Sequence, residues 1–141
     1  MVTEYPQSRY SIEGNIGEGS YGKVDKALDL KTCKTVAIKT MKETSNDSVP
    51  HFVLRELDVL RQLSGQPGIV PLLAVYREKD QKTKGNLIKF VFPFCEIGDL
   101  QAFMRQRNKH AQAGDHLGLP VEQVIDFAEQ ILRALQIIHN K

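Results

Sequence analysis

The spacing of apolar residues changes near residue 95, and this change constrains the fold more than any other feature of the chain. Before it, five runs read as strands: residues 10–16 (YSIEGNI), 24–29 (VDKALD), 34–41 (KTVAIKTM), 69–78 (IVPLLAVYRE) and 86–94 (NLIKFVFPF). They are short and bounded by polar or glycine-containing turns, the pattern of pleated segments with an inward face. A single helix interrupts them. After Pro50, the apolar Val53, Leu57, Leu60 and Leu63 recur every three to four positions, on one side of a helix over 50–63 that Ser64-Gly65-Gln66-Pro67-Gly68 ends. Beyond residue 95 the spacing is helical only. Asp99 is placed to cap a helix over 100–108, and Pro120 opens a longer one to about His139, striped by Val124, Ile131, Leu135 and Ile138. Strands gathered in one part and helices in another give the α+β class.

The chain has 141 residues, about one domain by length. It reads as a polar tail over 1–9, a strand-rich part over 10–95 and a helical part over 96–141. Polar loops are expected over 43–48, 79–85 and 109–118. A net charge of +2 gives no argument for nucleic acid or an anionic membrane as partner. The apolar stretches 69–75 and 87–95 fall well short of the roughly 18 residues of a spanning helix, and the start MVTEYPQSRY has no signal-peptide core. A soluble cytoplasmic or nuclear protein is expected, with Cys33 and Cys95 as free thiols. Their spacing suits neither a metal site nor a redox pair.

Gly17-Glu18-Gly19-Ser20-Tyr21-Gly22-Lys23-Val24 lies between two of the strand patterns. Glycines let a backbone bend sharply and approach phosphate oxygens with its N–H groups pointing inward. Such turns also occur between strands with no ligand at all. The same residues match the P-loop of nucleotide hydrolases up to its last position, where Val24 stands in place of the Ser or Thr that binds Mg²⁺. A P-loop also leads into a helix, as does a dinucleotide-binding loop, and the residues after Lys23 read as a strand.

Val36-Ala37-Ile38-Lys39 puts a lysine at the end of an apolar strand. It is either a solvated edge residue or an ammonium held under the glycine turn against nucleotide phosphates. A lysine in the second role must be steered, and Glu56 on the following helix is the natural guide. An exposed pair of this kind contributes only about 0–1 kcal/mol, so its value is geometric.

Glycine turn, Val-Ala-Ile-Lys strand and Glu-bearing helix, in this order, resemble the protein kinases. The helix Val49-Pro50-His51-Phe52-Val53-Leu54-Arg55-Glu56-Leu57 looks like the Pro-Ser-Thr-Ala-Ile-Arg-Glu helix of the cyclin-dependent group, with Pro50, Arg55 and Glu56 kept. Gly17 to Gly22 is close to that group's glycine loop, and Gln66-Pro67-Gly68-Ile69-Val70 resembles its His-Pro-Asn-Ile-Val stretch. The resemblance covers residues 10–141. It implies a five-stranded antiparallel sheet plus one helix, then the first helices of a helical lobe. It implies ATP as ligand, with Gly17, Glu18, Gly19, Ser20, Tyr21 and Gly22 over the phosphates. Lys39 and Glu56 form the positioning pair. Ile16, Val24, Ala37 and Val70 surround the purine, with Phe92 behind it. Phe90 to Cys95 looks like the hinge, so the carbonyl of Pro93 and the N–H and carbonyl of Cys95 face the adenine edge. Asp99 is either a ribose contact or only a helix cap. Ser20 and Tyr21 match positions where phosphorylation inhibits cyclin-dependent kinases, although a small residue and an aromatic also suit the turn.

In that family the His-Arg-Asp and Asp-Phe-Gly segments follow the long helix and supply the catalytic aspartate and the Mg²⁺ ligands. The chain stops at His139-Asn140-Lys141, so the expectation is a kinase amino-terminal part that is itself inactive, with its long-helix stripe unburied. The alternatives are a non-catalytic module or pseudokinase fragment that binds a cyclin-like partner through helix 50–63, and, on weaker grounds, a P-loop hydrolase.

Overall fold

The computed structural model describes residues 3–4, 9–19, 22–42, 49–80, 85–109 and 118–140. The expected loop 43–48, most of the tail and parts of the loops 79–85 and 109–118 lie outside them, as do the regulatory candidates Ser20 and Tyr21. The elements, in chain order, are β1 (Thr3–Glu4), β2 (Tyr10–Gly19), β3 (Gly22–Asp29), β4 (Lys34–Lys42), α1 (His51–Gln62), β5 (Ala74–Lys79), β6 (Asn86–Pro93), α2 (Leu100–Lys109) and α3 (Val121–His139).

The five expected strands form an antiparallel sheet, and β1 adds a sixth member in the order β1-β5-β6-β4-β3-β2. β1 corrects the expectation of a featureless tail: Thr3 and Glu4 pair in parallel with Tyr76 and Arg77. Nothing local foretells this, because two polar residues have no periodicity and the pairing is made across the chain. A second correction concerns 69–78. The strand starts only at Ala74, since Pro71 has no N–H for a ladder. The first backbone bond of this segment to β6 is Leu73 N–H to the Val91 carbonyl, at 2.8 Å.

Strand alternation sends successive side chains to opposite faces. On one face Tyr10, Ala27, Val36, Ile38, Tyr76 and Val91 form a buried cluster. On the other, Met41, Ile88 and Phe90 meet Val53 and Leu57, the buried stripe of α1. Thus α1 packs on the face that also carries Ala37 and Lys39. Gly22 marks a close approach between strands. Its φ is +131°, and a Cβ there would lie 2.0 Å from the Thr40 carbonyl oxygen.

The chain divides into two compact units. The first is Met1–Gly65 with Ile69–Phe94, and the second is Gln66–Gly68 with Cys95–Lys141. In the second, α2 and α3 meet through Phe103 and Phe127, whose rings stack edge-on at 6.2 Å between centroids. Gly68 belongs here, where a Cβ would sit 3.0 Å from that of Ala134 on α3. The stripe on α3 is exposed at Val124, Ile131, Leu135 and Ile138, and α3 contains no buried residue.

Candidate functional site

The glycine turn is the distal part of the β2–β3 hairpin. Gly17 faces Val24, Glu18 faces Lys23, and Gly19 faces Gly22. Two residues of β2, Glu13 and Ile16, are extra in the register, giving irregularities between Ile12 and Gly14 and between Asn15 and Gly17. Such bulges bend a strand and increase its twist. The three glycines of the motif differ in what holds them. Gly22 is fixed by its backbone and by Thr40. A Cβ at Gly17 or Gly19 would meet no atom of the described residues within 4 Å. Packing among the described residues therefore sets no need for glycine at 17 or 19, and the open space there suits the close approach of an outside group.

Lys39 and Glu56 are brought together. Lys39 Nζ donates to Glu56 Oε1 at 2.6 Å and to Oε2 at 2.7 Å, so one ammonium bridges both oxygens. Both side chains are partly exposed, at 25% and 31%, so the pair is open to a further anionic ligand. The strand fixes Lys39 by its register opposite Val24 on one side and Phe90 on the other. The helix fixes Glu56 by burying Val53 and Leu57, one turn earlier and one residue later. This register also groups the apolar candidates: Val24 is opposite Lys39, and Ala37 is opposite Phe92. The ring of Phe92 packs edge-on against Phe90 at 6.4 Å.

The strand pairings do not include the other candidates in this group. Ile16 is half exposed in the bulge of β2, and Val70 is half exposed in the segment before β5, outside any strand pairing. Pro93 ends β6 opposite Val36. Cys95 is an exposed free thiol at the start of the second unit. Asp99 caps α2: Ala102 N–H donates to its Oδ1 at 2.6 Å, which is the helix-capping alternative.

Sequence reasoning missed two polar groups beside the glycine turn. Asp25 is buried, at 5% exposure, and accepts from Asn15 Nδ2 at 3.3 Å, while Lys23 Nζ lies 2.9 Å from its Oδ2. On the opposite face of β3, Lys26 Nζ lies 5.2 Å from the centre of the Phe94 ring and 3.0 Å from Glu13 Oε2. Alternation held a signal for Asp25, since it shares the face of Ala27 and Asp29. A third missed group closes the far end of β3. Arg9 donates from Nε and Nη2 to the two oxygens of Asp29, at 3.0 and 2.8 Å, and from Nη1 to the Tyr76 hydroxyl at 3.0 Å. Hydrogen bonds from Arg9 hold the Asp29 carboxyl well below the usual carboxylate range. Burial, and then the bond to Tyr76, push the Tyr10 hydroxyl upward.

Comparison with known proteins matches the sequence to a family. The protein kinase domain profile matches residues 10–141. A probable serine/threonine-protein kinase of Dictyostelium discoideum is 34% identical over 132 residues, covering 94% of this chain and 23% of that protein. Cell division control protein 2 homolog C of Antirrhinum majus is 33% identical over 132 residues, covering 93% of the chain and 42% of its own length. Cyclin-dependent kinase D-1 of Arabidopsis thaliana is 33% identical over 134 residues, covering 94% and 30%. The chain thus spans less than half the length of these relatives. With the profile covering nearly all of it, the chain belongs to the protein kinase domain family.

Proposed function

We propose that this chain carries the ATP-binding part of a serine/threonine protein kinase, an enzyme that moves the γ-phosphoryl group of ATP to a protein hydroxyl. The observation that carries the reading is the two-oxygen grip of Glu56 on Lys39 Nζ, at 2.6 and 2.7 Å. It holds an ammonium at a fixed place on the sheet face, where it offsets phosphate charge without having to be ordered when the ligand arrives. The flap supports the same reading, because Gly17 and Gly19 leave room for phosphate oxygens to reach backbone N–H groups. Val24, Ala37 and Phe92 give the purine an apolar surface, to which Ile16 and Val70 add from their own segments. These residues bind and orient. Among the described residues no three His, Cys, Asp or Glu side chains are grouped to hold a metal ion. No described helix is long and apolar enough to cross a membrane.

Titration of the chain with ATP tests the reading. Lys39→Ala is expected to weaken binding about tenfold, and Glu56→Gln about threefold, since the lysine stays but loses its guide. Equal affinity for the wild type and Lys39→Ala rejects it.

A second reading concerns α1. Phe52 and Val59 are exposed at 45% and 51% on its outer side, opposite the buried Val53 and Leu57. Two of the relatives are named for cell-division control or cyclin dependence. A cyclin-like protein covering this side is the expected partner, and Val59→Asp is expected to weaken capture of a purified cyclin about tenfold. Unchanged capture removes α1 from the interface.

A further inference from the structure

We propose that Lys26 is a further binding residue for the nucleobase: its side chain, held at the head by Glu13 and Phe94, borders the purine surface on the side away from the phosphates. The inference rests on the nucleotide-binding reading above and deepens it at the base end. All three residues lie in the strand-rich unit.

Register puts Lys26 on the site's own face. It is opposite Ala37 on β4, and Ala37 is opposite Phe92 on β6. Directly opposed residues point to one face, so Lys26 shares that face with Val24, Ala37, Lys39 and Phe92. Its neighbour on the other side is Gly14 of β2. A Cβ at Gly14 would meet no atom of the described residues within 4 Å. Between a glycine and an alanine, the apolar stem of Lys26 stands above both neighbours. It adds surface beside the single methyl of Ala37.

The head of the side chain shows which way the stem is laid. Lys26 Nζ lies 3.0 Å from Glu13 Oε2 and 5.2 Å from the centre of the Phe94 ring. Pro93 pairs with Val36, so Phe94 continues the path of β6 away from Lys39. Lys39 and Lys26 are thus each held by a carboxylate, Glu56 for the first and Glu13 for the second. Phe94 draws the second ammonium away from the phosphate end. The Lys26 and Glu13 side chains are exposed at 38% and 41%, so the pair does little for stability. Its effect is on direction. Partners on either side of β3 fix where the ammonium goes, and the stem goes with it. A purine seated on Ala37 with its phosphates at Lys39 meets this stem at its far edge.

Competition against the fluorescent analogue mant-ATP in the 141-residue chain tests the assignment. Adenosine carries the base without the charge, and inorganic tripolyphosphate carries the charge without the base. Lys26→Ala is expected to weaken adenosine about fivefold and to leave tripolyphosphate within about twofold of wild type. Lys39→Ala gives the reverse pattern. Lys26→Arg keeps a stem and a cation, and is expected to bind adenosine within about twofold of wild type. Phe94→Leu removes the ring that draws the ammonium, and is expected to weaken adenosine about threefold; added to Lys26→Ala it costs nothing further. Should Lys26→Ala fail to fold, Phe94→Leu decides by the same comparison of adenosine with tripolyphosphate. Adenosine affinity unchanged in the variant, or tripolyphosphate weakened as much as adenosine, overturns the proposal while ATP binding by the wild type still stands. Failure of the wild type to bind mant-ATP at all removes the nucleotide reading and this proposal with it.

Discussion

Asp29→Ala is expected to lower the stability of the strand-rich unit by about 3 kcal/mol, measured by urea denaturation. The carboxylate is buried, at 4% exposure, and it organises four donors. Two come from Arg9, one from the backbone N–H of Lys31 at 3.0 Å and one from the Thr32 hydroxyl at 3.0 Å. Removing it takes two side-chain bonds from the turn after β3 and leaves the Arg9 guanidinium with the Tyr76 hydroxyl and the Tyr10 ring. Because Arg9 and Asp29 act as a unit, Arg9→Ala/Asp29→Ala is expected to cost clearly less than the sum of the two single changes. A loss below about 1 kcal/mol would show that the network is ornamental to folding.

The same network sets two limits in pH. The folded-state pKa of Asp29 lies below its unfolded value, so its contribution is complete above the ordinary carboxylate range near pH 4 and fades as pH falls below it. Tyr10 is shifted the other way. Its neutral form is favoured in the fold, so its contribution is complete below about pH 10 and is lost as pH rises further. In Asp29→Ala the acid limb of the stability profile is expected to flatten while the alkaline limb remains.

Gly22→Ala is expected to cost about 2–3 kcal/mol and to detach the base of the flap from β4. Two faults add. The residue holds φ at +131°, a conformation that a side chain disfavours, and the new Cβ would meet a backbone oxygen at 2.0 Å. That oxygen cannot rotate away, so the pairing of Lys23 with Thr40 must open. Gly17→Ala and Gly19→Ala are the controls. Their Cβ atoms enter open space, so stability should change by less than about 0.5–1 kcal/mol while ATP binding weakens. If Gly22→Ala is as stable as Gly19→Ala, the close approach to Thr40 does not constrain the hairpin.

How far the sequence discloses this molecule depends on the range of the interaction. The strands over 24–29, 34–41 and 86–94 and the helices on either side of residue 95 follow from spacing over a few residues, and so they are legible. So is the order of glycine turn, lysine and glutamate, whose resemblance to the kinases pairs Lys39 with Glu56. The late start of β5 was partly legible, since Pro71 stands in view but competes with a long apolar run. What could not be read are contacts made between distant residues without periodicity. Arg9 reaches Tyr76 across 67 positions, and Thr3 pairs with that same residue. The irregularity at Ile16 is equally hidden, because an insertion of one residue in a strand has no signature in the order of letters.

The irregular path of β2 has one more consequence. It is one of the two edge strands of the sheet, opposite β1, and it carries Ile12 and Ile16 at 48% and 50% exposure. A long, flat, apolar border of that kind would template the addition of strands from other molecules, the first step toward fibrils. The extra residues Glu13 and Ile16 break its backbone rhythm twice within ten residues, so an incoming strand finds at most a few donors and acceptors in step. The kinks that shape the flap therefore also keep neighbouring molecules from zipping onto it.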